Sequence, residues 1–463
     1  VSAGGGALNR SPRAVVIGGG VTGLVAAYEF LQAGWSVTVH EASDRWGGKI
    51  WSSPVGDRMV DAGPDSILFR AEAGIKLCRR LGLEPEMTHP MSKVPAYLFV
   101  DGLLHELPAG TMFGVPTDLS LLETSSLISR AGLERAARDL TPAPTAANGG
   151  AEARADTSIG ALCRERLGDE ITDKLIDPLL GGINASDLDR LSLRAAAPQL
   201  AAAVDNHGSL IRGMAAVREK AGATLGSAAD RPVFFSLTGG VARIIERLLE
   251  ELAGADLRLL SPVLDLPDGS PATGVNRAGT MVAVDRLQAD AIIDTRPPRH
   301  VINYASVSQV TLAVPVTALD EVMDTSGILF PRIGGTMLTA CTWFSSKWPH
   351  YADPDTALLR LTSGRYGDDR ANRLDDDTLV STLRDEVSPV VALHGDPAAV
   401  RVHRWRDALP QYEPGHLDRV ARLRAEAAER NTRLRLAGAA YDGIGIPACI
   451  HSAQRAVREL LEP

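Results

Sequence analysis

The spacing of apolar residues changes period several times along the chain, and each change predicts an element. Residues 14–17 (AVVI) form a short continuous apolar run, too short for a helix and suited to a strand buried on both faces. From Val21 the apolar positions fall at Val21, Leu24, Val25, Tyr28 and Leu31, one face of a helix, and Gly34 stands where a helix C-terminal glycine is expected. Val37 and Val39 restore the two-residue period in a second strand that ends at Glu41. Between the first strand and the helix lie Gly18, Gly19, Gly20 and Gly23, so G-x-G-x-x-G occupies a strand-to-helix turn.

That context gives each glycine a task. Gly18 permits the tight turn, Gly20 lets backbone approach a pyrophosphate, and Gly23 lets the helix press on the strand. The unpaired N–H groups around Val21 and Thr22 hold the phosphate charge. Glu41, about twenty residues on and followed by Ala42, places a carboxylate where ribose hydroxyls are accepted. Nicotinamide and flavin dinucleotides share this fingerprint. Arg45, Gly47, Gly48 and Lys49 continue it as E-x-x-x-R-x-G-G-K, which resembles the second phosphate-contacting signature of monoamine-oxidase-type flavin oxidases. The resemblance implies FAD.

Helical spacing returns in the middle of the chain. Ile159, Leu162, Cys163 and Leu167 share a face that Gly168 ends, with a cap expected among residues 156–158. Ile171, Leu175, Ile176 and Leu179 form a second face before Gly181 and Gly182. Gly239 and Gly240 lead into a helix with Val241, Ile244, Ile245, Leu248 and Leu252 on one side. Residues 257–264 then read as one strand, at a sheet edge because of Pro262. Residues 310–314, 337–343 and 358–362 read as strands of a half-buried antiparallel sheet. Pro447 suits the first turn of a closing helix with Ile450, Ala453, Val457 and Leu460 on its apolar face.

Composition narrows the class. With 463 residues and 45% hydrophobic content the chain is globular, with two or three domains. A formal charge of −9 excludes a nucleic-acid binder, and an anionic substrate then needs a local basic patch. Four separated cysteines, Cys78, Cys163, Cys341 and Cys449, suit a reduced cytoplasmic protein. No apolar run of about eighteen residues spans a membrane, although attachment at its surface stays open. Residues 1–11 read as a disordered tail rather than a signal peptide, and 141–155 as a low-complexity linker. H-E-x-x-H and G-x-S-x-G are absent, and no metal site is expected.

Several further segments carry a resemblance. They are V-D-A-G-P-D-S at 60–66, P-L-L-G-G-I-N-A-S-D at 178–187, L-S-L-R at 191–194, F-S-S-K-W at 344–348, R-W-R-D-A-L-P-Q-Y at 404–412, and above all L-R-L-A-G-A-A-Y-D-G-I-G-I-P-A-C-I at 434–450. Together they resemble the oxygen-dependent, FAD-containing oxidases that convert protoporphyrinogen or coproporphyrinogen to the porphyrin. The resemblance implies an α/β fold. A discontinuous FAD domain is expected from 12–90, 226–300 and 430–463, a mixed-sheet substrate domain from 91–106 and 301–429, and a helical lobe from 107–225.

The same resemblance implies roles for single residues. Gly63, Pro64, Asp65 and Ser66 lie against the flavin, Val263 passes the adenine, and Gly438, Ile444, Gly445 and Ile446 close the cofactor site. Arg70 faces a substrate propionate, Ile183 lines a wall and Trp348 stacks on a pyrrole. Asn184 and Ser186 depart from the family wording, as do Asp294 and Arg296 before an apparently shortened helix at 298–301. Hydride leaves a meso carbon for flavin N5, so no catalytic acid or base is assigned. The implied partners are a tetrapyrrole and O2, with transient contact to the next haem-pathway enzyme and an open oligomeric state. Arg70, Lys347, Arg360, Arg365 and Arg404 would give the basic pocket that favours coproporphyrinogen III, with its four propionates. Protoporphyrinogen IX, an amine oxidase or carotenoid desaturase, and a non-catalytic flavin or tetrapyrrole binder remain alternatives.

Overall fold

Among the described residues of this computed structural model, which are 11–91, 94–142, 156–225, 233–265, 271–277 and 280–462, five strands from distant parts of the chain form one parallel sheet. Their spatial order is Asp256–Arg258, Ser36–His40, Arg13–Ile17, Ala291–Asp294 and Leu434–Leu436. Val15 sits in register with Thr38 on one side and Ile292 on the other, so the first apolar run is the central strand. The helix Val21–Gln32 follows it at once and Gly34, at φ +81°, carries the chain out of the helix. Leu24, Val25 and Phe30 of this helix share one core with Val16, Val39, Ile293 and with Ile450, Ala453 and Val457 of the helix Ile446–Leu461. The chain's last helix thus packs on its first, and the glycine motifs at 18–23 and 438–445 meet. The expected tail and linker lie, apart from Ser11 and residues 141–142, outside the described residues.

A seven-stranded mixed sheet forms a second layer, in the order Ala399–Pro410, Tyr304–Pro315, Thr356–Ser363, Leu338–Trp343, Gly327–Leu329, Ala96–Val100 and Leu103–Glu106. The three strands expected at 310–314, 337–343 and 358–362 are its centre. One face buries Val310, Leu312, Leu359 and Leu361 with Leu379 and Leu383 of the helix Asp376–Val387. The alternate residues Thr311, Arg360 and Arg401 stand in one row across three neighbouring strands and point at the nucleotide half. The period of two therefore assigns one face to the core and the other to the site.

In the helical lobe the helix Arg130–Ala137 is followed by Ile159–Leu167, which is capped by the Ser158 hydroxyl accepting from the Ala161 N–H and ended by Gly168 at φ +88°. The second apolar face forms a π-helix, Thr172–Gly181, with Pro178 inside it. Proline lacks the N–H that a regular turn needs, and the wider turn absorbs the loss.

Two expectations are corrected. Residues 257–264 are not one strand: Asp256–Arg258 ends the parallel sheet, and Val263–Asp265 joins a separate antiparallel sheet. Leu260, at φ +52°, turns the chain because its N–H donates to the Ser43 carbonyl while that of Ser261 donates to Glu41. The stretch 298–301 is a turn rather than a short helix, with the Val301 and Ile302 N–H groups donating to the Pro298 carbonyl. The unusual charges beside it neutralise each other. Arg296 bonds both Asp294 oxygens, reaches Asp265 at 2.7 Å, and donates to the Val263 carbonyl at 2.9 Å. Those partners hold the Arg296 guanidinium charged against the effect of its burial.

Candidate cofactor and substrate site

The two N-terminal glycine loops lock together by backbone. Gly18 has φ +106°, and a Cβ there would lie 2.1 Å from Thr295 Oγ1. A Cβ on Gly23 would lie 1.9 Å from the Gly18 carbonyl oxygen, so the helix presses on the turn. Gly47 donates to the Gly19 carbonyl at 2.8 Å, and a Cβ on Gly48, at φ +58°, would lie 3.1 Å from Gly20 Cα. Gly20 differs: a Cβ there meets nothing closer than Gly48 Cα at 4.0 Å. Its lack of a side chain serves something other than internal packing. No side chain caps Val21–Gln32, which leaves its first N–H groups for an anion. Gly438, at φ +118°, closes the cradle, where a Cβ would lie 3.5 Å from Thr22 Oγ1, and Gly445, also without a side-chain cap, opens the helix Ile446–Leu461. Two open helix N-termini and a cradle that side chains would fill fit a flavin dinucleotide.

The charged residues around this cradle have distinct tasks. Glu41 accepts from the Gly19 N–H at 2.6 Å and the Ser43 N–H at 2.8 Å, keeping lone pairs on both oxygens. Arg45 donates to the Gly48 carbonyl at 2.7 Å and lies over the Trp51 ring at 4.6 Å, so it braces the second loop. Lys49 is exposed to solvent, yet its ammonium is pulled below its ordinary value chiefly by desolvation, with Arg299 adding to the effect.

The sheet meets the nucleotide half at residues 61–65. Arg360 donates to Asp65 Oδ1 at 3.0 Å and to the Gly63 carbonyl at 2.8 Å, while Lys347 and Trp348 Nε1 bond Asp65 Oδ2 at 2.6 and 2.9 Å. These partners hold the Asp65 carboxyl well below the usual range despite its burial. Arg401 donates to the carbonyls of Ser53, Val60 and Asp61 and to Thr311 Oγ1. Trp405 Nε1 donates to the Ala62 carbonyl at 2.8 Å. His403 lies between Trp51 and Trp405, 4.7 and 4.2 Å from their centroids, and its pKa is lowered to about 4 by burial and by Arg401 and Arg45. Asp61 is buried without a cation in contact. Desolvation raises its carboxyl to about 6 against hydrogen bonds from Ser52 and the Val241 N–H.

Set against the sequence, the cofactor residues converge and the substrate residues scatter. Trp348 is corrected: it is 0% exposed, packed among Val55, Val60, Phe344 and Leu358, and cannot stack on a ligand. The expected basic pocket is corrected as well. Lys347 and Arg360 are consumed by Asp65, and Arg404 by Asp376 and the carbonyls of Ala371 and Leu374. Asp65 is a brace rather than an open ligand for the cofactor. Arg70 is exposed at the end of the short strand Ile67–Leu68, and Ile183 is 60% exposed at the end of the π-helix. Pro64 and Ser66 flank Asp65 partly exposed, and Val263 lends its carbonyl to Arg296. Sequence reasoning missed Arg401 and His403, although the alternation of Arg401, His403 and Trp405 along one strand marks a single face. Asp442 pairs with Arg424 and Arg455 and Cys449 is buried, so both are structural.

A parallel sheet carrying a double glycine cradle and a returning C-terminal helix defines a dinucleotide-binding flavoprotein of the oxidoreductase class. The chain belongs to the flavin-containing amine oxidoreductase family, whose model matches residues 21–461. It is 31% identical to the coproporphyrinogen III oxidase of Bacillus subtilis (strain 168), over 96% of this chain and 97% of the relative. It is 32% identical to the protein of the same name from Staphylococcus aureus (strain NCTC 8325 / PS 47), over 96% and 98%. A solved structure from Exiguobacterium sp. 255-15, which carries a provisional name as a protoporphyrinogen oxidase, superimposes with a TM-score of 0.82. It is 30% identical and covers 98% of this chain and 100% of its own. FAD is accordingly the cofactor, and no helix among the described residues is long and apolar enough to cross a membrane.

Proposed function

We propose that the protein oxidises coproporphyrinogen III to coproporphyrin III with O2 as acceptor, releasing H2O2. The observation that carries this reading is nearly end-to-end identity of 31–32% with two coproporphyrinogen III oxidases. FAD, when bound, supplies the acceptor for a hydride from an sp³ meso carbon and passes the electrons to O2. The backbone of Gly18, Gly19, Gly20, Val21, Thr22 and Gly23 holds the diphosphate, with Gly47 and Gly48 opposite. Glu41 accepts from the ribose, and Lys49 lends positive charge beside the second glycine loop. The turn Gly63, Pro64 and Ser66 bears on the flavin, with Asp65 as its brace. Gly438, Ile444, Gly445 and Ile446 close the site, so that a helix N-terminus favours negative charge on the reduced ring. Arg70 and Ile183 remain the residues offered to the substrate. Proton release falls to the pyrrole N–H groups, so no side-chain acid or base is required.

The name of the Exiguobacterium structure favours one second reading, protoporphyrinogen IX oxidation. Steady-state kcat/KM for the two porphyrinogens, at equal air saturation and ionic strength, separates them. The proposal expects coproporphyrinogen III to be preferred by about tenfold or more. A tenfold preference for protoporphyrinogen IX would overturn the substrate assignment.

A further inference from the structure

Two arginines at the seam between the helical lobe and the rim of the seven-stranded sheet lack a counter-charge in contact. Arg332 lies in the 3₁₀ turn Arg332–Gly334, and Arg365 lies two residues beyond the strand Thr356–Ser363. Arg365 is 8% exposed, yet its hydrogen bonds run only from Nη2 to the carbonyls of Phe330 and Leu338, both at 3.4 Å. Arg332 donates from Nη2 to the Ser186 carbonyl at 3.1 Å, and its buried Nε finds no acceptor. Among the described residues, neither arginine forms an ion pair.

The surrounding charges do not close the balance. Asp177, on the π-helix, is buried, and its carboxyl is pushed up by desolvation even with both arginines nearby. Asp187 turns one oxygen to the Asp189 N–H at 2.9 Å. Asp368 is bound at both oxygens by Arg370, at 2.9 and 2.7 Å. Two guanidinium groups therefore face one buried carboxylate, which is held by the Arg332 backbone N–H and forms an ion pair with neither guanidinium. Buried charges in folded proteins are paired, and spare guanidinium N–H groups match a carboxylate in geometry and charge.

The seam adjoins the substrate wall of the functional reading. Ser186 accepts from Arg332 and Ala185 accepts from the Tyr366 N–H at 2.7 Å, so the segment holding both contacts is the one that carries Ile183. We propose that Arg332 and Arg365 form a carboxylate-binding site for one of the two propionates that coproporphyrin carries and protoporphyrin lacks, a proposal that rests on the porphyrinogen oxidase reading. Such a site distinguishes a tetrapyrrole with four propionates from one with two.

Fluorescence titration of the FAD-loaded protein with coproporphyrin III and with protoporphyrin IX tests it without turnover. Arg332→Gln and Arg365→Gln should each weaken coproporphyrin III binding by about 10- to 100-fold, with protoporphyrin IX affected less than about threefold. Flavin content and Tm identify variants that fold, and Arg332→Gln, at the less buried position, serves if Arg365→Gln does not. Unchanged coproporphyrin III affinity in a folded variant, or equal loss for both porphyrins, overturns the site. Failure of the unsubstituted protein to bind either porphyrin overturns the oxidase reading instead.

Discussion

Arg360, on the central strand Thr356–Ser363, grips Asp65 at 3.0 Å and the Gly63 carbonyl at 2.8 Å, so one guanidinium ties the substrate sheet to the turn proposed to face the flavin. Lys347 completes the cluster from the opposite oxygen of Asp65 at 2.6 Å. Asp65→Asn leaves the buried Arg360 and the half-buried Lys347 facing a neutral amide and should destabilise the protein by about 3–5 kcal/mol, as broken buried ion pairs do. Urea unfolding measures this. A loss below about 1 kcal/mol would mean that the cluster is not a brace.

The Asp61 carboxyl gives the fold a pH signature. Its folded pKa, raised to about 6, means the folded state holds this proton more tightly than the unfolded state. Stability from Asp61 is therefore full below the ordinary carboxylate range and lost as pH rises through about 6, by up to about 3 kcal/mol. Asp65 acts oppositely: its lowered pKa gives stability that disappears as pH falls below that range. In melts from pH 5 to pH 8, Asp61→Asn should gain on the unsubstituted protein as pH rises. Parallel curves would contradict the assignment.

The glycines separate packing from ligand contact. A Cβ on Gly23 collides with the Gly18 carbonyl, whereas one on Gly20 has no protein atom nearer than 4.0 Å. Gly23→Ala should lower the Tm of the apoprotein. Gly20→Ala should leave it within a degree or two and weaken FAD binding about tenfold or more, since the approach to the diphosphate is what it blocks. Retention of stoichiometric FAD by Gly20→Val would remove Gly20 from the cofactor site.

The nucleotide half was legible because its determinants are local. The change of period across Gly18 to Gly23, with Glu41 after it, lies within one β-α-β unit, and local backbone sterics require glycine at Gly18 and Gly23. The break at Leu260 was not legible, because the carbonyls of Ser43 and Glu41 that turn the chain come from a remote segment. Trp348 and three of the proposed cations, Lys347, Arg360 and Arg404, misled for a related reason. A cation or a tryptophan reads as a ligand until its partner is known, and Asp65 and Asp376 are remote in sequence from the groups they hold. Arg365 stood among the expected cations, but its meeting with Arg332 at the seam was not legible, for the same cause.

Arg70 and Trp348 should respond differently to truncation. Arg70→Ala should raise KM for coproporphyrinogen III by about tenfold with kcat nearly unchanged, the mark of a contact equal in ground and transition states. Trp348→Phe removes the Nε1 hydrogen bond to Asp65 and should lower stability by about 1–3 kcal/mol without changing KM. Equal KM for the Arg70 variant would take that residue out of the site.

If this flavoprotein takes electrons from a porphyrinogen, its flavin is reduced by coproporphyrinogen III alone. Anaerobic mixing of the FAD-loaded protein with coproporphyrinogen III, followed at the flavin absorbance band, tests it most directly. The oxidised flavin should bleach as porphyrin absorbance appears, and the flavin band should return with H2O2 when air is admitted. A shift of the flavin band without bleaching would contradict it, leaving a protein that binds tetrapyrroles without oxidising them.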